Sequence, residues 1–438
     1  MRLRTGARAS VIALALAAVA APAGAAEWSA VSGLVPGSAT SASLDGPRVL
    51  VASLMNRRSV ELTTIANHRV ARRQTLTTAG RAGTVRYLQL ARLRGGRALA
   101  VWQEPGAVKA SLRRSAGARF SPAVTVSRHP GSQTGAAIRP VVTVTPAGEA
   151  LVAWLGGPVG GRLGIQIATL PAGASMWSAP VDVTGGTLPQ FSGVGASAPL
   201  PLAAATDPGG GVVVAWGQPP VTPSQPALDV VGVTRSPAGT WGAPVRLGTG
   251  GSGLTVTAPA PGEAVAAWRD GSCVAAATLR GGVATLAEVA CRPGTLAGAL
   301  ALSRTTSGGA ILAMQFVPQP VPAGGPTTIE VAARSAAGSW GPATLAIAGP
   351  ADLAGAALGT RDRTAVMGPR GSGFNKVRVV VVGPDGGVQR RLGGPARPTP
   401  PPNTSVSVLP LGPGTRVTLL LTPERSLRSS RASILTLG

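Results

Sequence analysis

The sequence is poor in the residue types that carry most enzyme chemistry. Its 438 residues include two histidines, two cysteines and one tyrosine. His68 and His129 stand far apart, and no His/Cys cluster has zinc spacing. No acidic run matches a calcium loop. No metal and no cofactor is therefore expected. Aromatic residues make up 3% of the chain, which argues against a surface that stacks sugars or single-stranded bases. Charged residues reach 13%, too few for a coiled coil. No internal apolar run is long enough to span a bilayer. Gly (61) and Pro (40), the poorest helix formers, recur every few residues and exclude a helical bundle. Wholesale disorder is excluded too, because 44% of residues are hydrophobic.

Acids are scarce, with Asp and Glu numbering 16 against 40 Lys and Arg, and the net charge is +24. Lys109 and Lys376 are the only lysines. Codon bias in a high-GC bacterium accounts for Arg over Lys, but not for the lack of acids. Such a surface attracts anionic polymers by long-range electrostatics.

The N-terminus reads as a secretory signal peptide over residues 1–25. Arg2, Arg4 and Arg8 form a positive region, Val11 to Ala21 is apolar, and Ala23-Gly24-Ala25 offers a cleavage site. No cysteine follows for lipid attachment. The expectation is an exported protein, outside the cell and not inserted in a membrane. Export also makes a disulfide between Cys273 and Cys291 the expected state of the two cysteines. They flank a hairpin centred near Gly281-Gly282, and the symmetry about Gly282 predicts a three-residue or bulged turn.

What is abundant is repetition. Ala98-Leu-Ala-Val-Trp102 returns as Ala150-Leu-Val-Ala-Trp154, Val212-Val-Val-Ala-Trp216 and Ala264-Val-Ala-Ala-Trp268. A second phrase follows each by about twenty residues, as in Trp177-Ser-Ala-Pro-Val, Trp241-Gly-Ala-Pro-Val and Trp340-Gly-Pro-Ala. Turns such as Pro146-Ala-Gly-Glu149 and Asp207-Pro-Gly-Gly210 separate them. Each unit is four short apolar strands, the period of a β-propeller blade. The sequence thus predicts an all-β chain, a single β-propeller domain over 26–438. Eight units fall near 38–80, 84–128, 138–185, 199–249, 252–292, 296–348, 351–394 and 404–437. The last is one strand short. Glu27 to Leu34 supplies an orphan strand, expected to complete the last blade and close the ring. Seven blades with an irregular cap is the alternative count.

Ser236-Pro-Ala-Gly-Thr-Trp241 and Ser335-Ala-Ala-Gly-Ser-Trp340 stand at the third-to-fourth strand turn. On these turns the chain resembles secreted bacterial β-propeller proteins with sialidase-type, Asp-box-like repeats. The boxes are not intact, since Ala238 and Ala337 stand where the family carries Asp. The resemblance covers nearly the whole chain and implies architecture. A sialidase-like activity would further require a Tyr nucleophile paired with Glu, an Arg cluster and an acid/base carboxylate.

Against that requirement, Tyr87 reads as a half-buried strand aromatic. Glu149 and Glu263 occupy matching turns and read as repeat features. Glu104, Asp270 and Glu424 follow second strands and read as solvated loop charges. The recurring tryptophans read as packing between blades. No catalytic residue is assigned.

In a four-stranded meander the second-to-third and blade-to-blade connections share one face, and here they are the longest segments. Long loops on a rigid scaffold are where binding resides. Arg57, Arg58, Arg162, Phe191, Arg269, Asp270 and Arg425 fall there and are the candidate binding residues. The expected function is a non-catalytic binding or scaffold module, monomeric, for an extracellular macromolecule, either a protein or a cell-wall polymer. The alternatives are a sialidase-like glycosidase or lyase, and an electrostatic binder of anionic wall polymer or DNA. Nucleic acid is expected to bind only non-specifically.

Overall fold

The computed structural model describes residues 27–436, apart from 37, 46–47, 56, 79–83, 128–138, 157–162, 186–187, 189–199, 221–226, 321–326, 349–354, 359–363, 371–375, 394–406, 411–415 and 424–428. The expected leader over 1–25 lies outside the described residues, as do most of the long connections on the expected binding face. Among the described residues the only helical element is a single 3-10 turn, Arg94–Gly96. Among the described residues no helix is long and apolar enough to cross a membrane.

Gly- and Asp-rich turns cut the chain into strands that pair with their sequence neighbours. Six four-stranded antiparallel sheets result, over residues 86–125, 141–182, 202–250, 252–291, 295–348 and 355–393. They are called sheets 2 to 7 in chain order. Sheet 1 has eight strands. Four come from residues 38–78, followed by Glu27–Pro36, Ser429–Thr436, Arg416–Pro423 and Ser407–Pro410. A single parallel bridge, Ser32 to Arg69, joins its two halves. Sheet boundaries match the repeat units read from the sequence to within a few residues.

The sheets are arranged as in a β-propeller. First strands lie against first strands: Ser38–Asp45, Arg86–Arg92, Val141–Val144, Leu202–Thr206, Ser252–Ala260, Thr295–Arg304 and Gly355–Leu358 succeed one another. The second strands of sheets 1 to 6 are buried along most of their length, packed between neighbouring sheets. Ala150–Gly156 is buried throughout. This explains why the repeated phrase is an unbroken apolar run and not an alternation.

The tryptophans fill the seams. Trp102, Trp154, Trp216 and Trp268 are at most 2% exposed. Trp102 packs with Leu50 and Leu62 of sheet 1. Trp154 packs with Leu99 and Val101 of sheet 2, Trp216 with Leu155 and Ile165 of sheet 3, and Trp268 with Val213 and Val230 of sheet 4. Each ring therefore sits against the preceding sheet, as expected from its recurrence. Burying a ring of this size is among the largest single contributions to a seam.

The disulfide between Cys273 and Cys291 is present, and the two residues are register partners. The turn differs from expectation. Arg280 pairs with Val283 across a two-residue Gly281-Gly282 turn, with φ +57° and +80°. Two successive positive φ values make the tight turn that suits strand twist. The extra residue expected in the turn is instead Val289, bulged opposite Val274 and Ala275 beside the disulfide.

Candidate functional site

Sheets 2 to 7 and residues 38–78 of sheet 1 are meanders, so their connections emerge at two ends. Second-to-third turns and sheet-to-sheet links share one end. First-to-second and third-to-fourth turns share the other.

Four of the expected binding residues are described at the first end. Arg57 and Arg58 form the exposed turn between Arg48–Met55 and Ser59–Ala66. Arg57 has φ +56°, and its carbonyl accepts the Val85 amide at 2.7 Å. Arg269 and Asp270 end the second strand of sheet 5. Asp270 is exposed, whereas Arg269 is half-buried and donates from Nη1 to the Ala297 carbonyl of sheet 6 at 3.4 Å. A Cβ on Gly253 would stand 2.5 Å from Arg269 Nε, so the side chain lies directly over that glycine. Sheets 1 and 5 hold the two pairs apart, and no hydrogen bond or ion pair joins them among the described residues. Arg162, Phe191 and Arg425 lie outside the described residues, as does Glu424.

Tyr87 is half-buried in the first strand of sheet 2, as expected, and sits in a bulge between Arg86 and Gln89. Its φ is +51°, a strained value for a bulky residue. The ring faces the Arg139 guanidinium, 5.7 Å from its centroid. Its partner is thus a cation, not the glutamate that a sialidase-like nucleophile requires.

The carboxylates were harder to place from sequence. Glu104 is not a solvated loop charge. It accepts the Trp102 indole N–H at 2.9 Å and the Thr77 hydroxyl at 3.0 Å, because a buried indole needs an acceptor. Gln218 does the same for Trp216 at 3.0 Å. Glu149 takes two hydrogen bonds from Arg235, at 2.8 and 3.1 Å. Glu263 faces Arg334 at 2.7 Å and also pairs with Arg280. Glu330 accepts from Arg292 Nε at 2.8 Å, and this bond holds the Arg292 pKa above its ordinary value. Asp229 pairs with Arg246. Asp182 caps Thr184. Asp207 is buried, and its two oxygens accept the Gly211 and Gly262 amides, both at 2.9 Å. Glu149 and Glu263 do act as repeat features. Their arginine partners were missed, although both arginines directly precede a Ser-x-Ala-Gly turn, at Ser236 and Ser335.

Glu288 lies with Cys273 and Cys291 in one cluster of potential metal ligands. The two sulfurs are bonded to each other and so are not thiolate ligands.

The opposite end carries a cavity of about 510 Å³ where first strands terminate. Arg92 and Arg94 come from sheet 2, Thr145 from sheet 3, Thr206 and Asp207 from sheet 4, and Arg304 from sheet 6. The three arginines are exposed. Arg304 reaches the Thr206 carbonyl at 3.4 Å. The Arg94 stem lies over Gly148 (φ +92°), where a Cβ would stand 3.2 Å from Arg94 Cγ. Sequence reading ranked the longer loops above these tight turns and so passed over this mouth.

The sequence matches no protein-family model and no curated protein. Solved structures share the fold. The BP39L lectin from Burkholderia pseudomallei is 13% identical, with 82% of this chain and 98% of that chain covered and a TM-score of 0.50. A PL25 ulvan lyase is 10% identical, with 93% and 95% covered and a TM-score of 0.50. At these identities the likeness is one of β-propeller fold alone.

Proposed function

We propose that the protein is an exported, non-catalytic β-propeller that binds an extracellular macromolecule, with a surface glycan as the partner class. One observation carries this reading: the described carboxylates are spent on the scaffold. Glycoside hydrolysis needs two carboxylates flanking one bond and available to it. Here Glu104, Glu149, Asp207, Asp229, Glu263 and Glu330 are each committed to an indole, a guanidinium or turn amides. Asp270, Glu288 and Asp385 are exposed, the first two on the second strand and the outer strand of sheet 5 and the third in a turn of sheet 7, where it caps the Gly387 amide. The Burkholderia lectin adds only that a propeller of this kind serves glycan binding elsewhere.

We also infer eight blades, with Glu27–Pro36 completing the last. This strand pairs with Ser429–Thr436 over seven register positions. Ser407–Pro410 lies against Ser38–Asp45, as the first strand of an eighth blade would. A leader over residues 1–25 and the disulfide fit export, since disulfides persist in oxidising compartments.

The test is cosedimentation of the purified protein with cell walls, neutral glycans, acidic glycans and DNA over a salt series, with reducing ends and unsaturated uronates measured in parallel. Retention on one glycan at moderate salt, without product, is the expected result. Steady release of product would overturn the reading in favour of the glycosidase or lyase alternative. Binding to every polyanion that vanishes with modest salt would favour purely electrostatic binding.

A further inference from the structure

The mouth on the tight-turn end is charged in one direction. Arg92, Arg94 and Arg304 line a cavity that has a single carboxylate, that of Asp207, among its described lining residues. Both Asp207 oxygens are occupied by backbone amides of two turns. No ion pair ties Arg92, Arg94 or Arg304 to a carboxylate among the described residues. Elsewhere five arginines, Arg235, Arg246, Arg280, Arg292 and Arg334, each meet an acid, whereas other exposed arginines such as Arg57, Arg58 and Arg86 have no ion pair among the described residues. The mouth therefore holds positive charge that the scaffold does not consume.

The rest of the described lining is apolar at Leu93, Val144 and Pro146 and hydroxyl-bearing at Thr145 and Thr206. Thr206 shares a hydrogen bond of 2.6 Å with Thr143. Guanidiniums match oxyanions through paired N–H donors. A cavity of about 510 Å³ has the size of a small-ligand site. The described lining contains no aromatic side chain, so it offers no stacking platform for a nucleobase or for a sugar ring, and a sugar would be held there by charge and hydroxyl groups alone. A concave, basic, hydroxyl-bearing and aromatic-free mouth suits an oxyanion carried on a polyol ring.

We propose that this mouth binds an acidic sugar unit, the carboxylate- or sulfate-bearing residue of an anionic polysaccharide, with Arg92, Arg94 and Arg304 holding the oxyanion. The proposal rests on the binding-module reading and names its ligand. The site is the end of the channel between blades, away from the long connections.

The experiment is titration calorimetry of the full protein with trigalacturonate, a heparin tetrasaccharide, maltotetraose, inorganic phosphate and an oligothymidylate. The test variant is Arg92→Ala with Arg304→Ala. The control is Arg114→Ala with Arg119→Ala, which removes the same charge from the exposed third-to-fourth connection of sheet 2, outside the cavity lining. Trigalacturonate and the heparin fragment distinguish carboxylate from sulfate, and at least one of them is expected to bind while maltotetraose does not. The mouth variant should weaken that binding by about tenfold or more, as expected for loss of charge-assisted hydrogen bonds, and the control should leave it unchanged. Arg304→Lys keeps the charge but not the fork, and should fall between. Equal losses from both double variants would overturn the proposal in favour of diffuse charge. Oligothymidylate bound most tightly, with the mouth variant abolishing it, would replace the sugar with nucleic acid. Phosphate bound as tightly as either sugar would reduce the site to a simple anion hole and overturn it. Product formation during the titration would instead overturn the binding-module reading, whichever residues hold the sugar. Undiminished glycan binding by the mouth variant would overturn the site and leave that reading standing.

Discussion

Glu149 of sheet 3 grips Arg235 of sheet 4 with two hydrogen bonds, although 86 residues separate them in sequence. Glu263 of sheet 5 and Arg334 of sheet 6 stand in the same relative positions and form an ion pair at 2.7 Å. In each case the acid stands immediately before or at the start of a second strand. The arginine ends the third strand of the following sheet. The pairs therefore tie neighbouring blades together at the tight-turn end, while the tryptophans fill the seams between second strands.

The inner pair should be the costlier to break. Glu263 and Arg334 are 1% and 2% exposed, against 20% and 14% for Glu149 and Arg235. Glu263→Gln leaves a buried guanidinium short of its countercharge, and a loss of about 3–5 kcal/mol is expected. Glu149→Gln should cost less, about 1–2 kcal/mol. Urea unfolding of the two variants checks the order. Equal losses would mean that burial does not set the strength of these seams.

Trp102 and Trp216 make the same indole bond with different acceptors, Glu104 and Gln218. Glu104→Gln should therefore be nearly neutral. Glu104→Leu strands a buried indole N–H and should cost about 1–3 kcal/mol. Thermal unfolding compares them. A Gln variant as unstable as the Leu variant would show that the carboxylate charge, and not its acceptor role, matters at this position.

The disulfide closes a sequence separation of 18 residues. On the chain-entropy model, Cys273→Ser with Cys291→Ser should destabilise by about 3 kcal/mol. The β-sheet circular dichroism should persist, because Cys273–Arg280 and Val283–Cys291 remain paired through the Gly281-Gly282 turn. Collapse of the sheet signal on reduction would show that the hairpin depends on the covalent link.

Ring closure can be tested by cross-linking. Ser29 and Ile434 are register partners in antiparallel strands, within the Cα spacing that a disulfide bridges. Ser29→Cys with Ile434→Cys should oxidise spontaneously. The link should raise the unfolding free energy by up to about 6 kcal/mol for so long a loop. Failure to form it under oxidising conditions would count against the N-terminal strand as the closing element.

Much of the fold was legible because its determinants are local. A turn of Pro, Gly and Asp, an apolar run and another turn specify a strand wherever they occur. Their repetition specified four-stranded units whose limits agree with sheets 2 to 7. The Cys273–Cys291 pairing was legible for the same reason, since one tight hairpin brings the two residues together. The role of Glu104 was not legible. Its position after a strand suggested solvent, and only the seam with sheet 1 revealed the Trp102 and Thr77 contacts.

By itself, then, the sequence determined the strand period, the place of the tryptophans in the seams and the basic excess. The tertiary structure alone decided which arginines that excess leaves over. Arg235 and Arg334 could be told from Arg92, Arg94 and Arg304 only once sheets distant in sequence stood side by side. Ion pairing depends on distances of a few ångströms between side chains, and between separate sheets chain position does not set those distances. The channel mouth likewise exists only where the ends of first strands from sheets 2, 3, 4 and 6 converge.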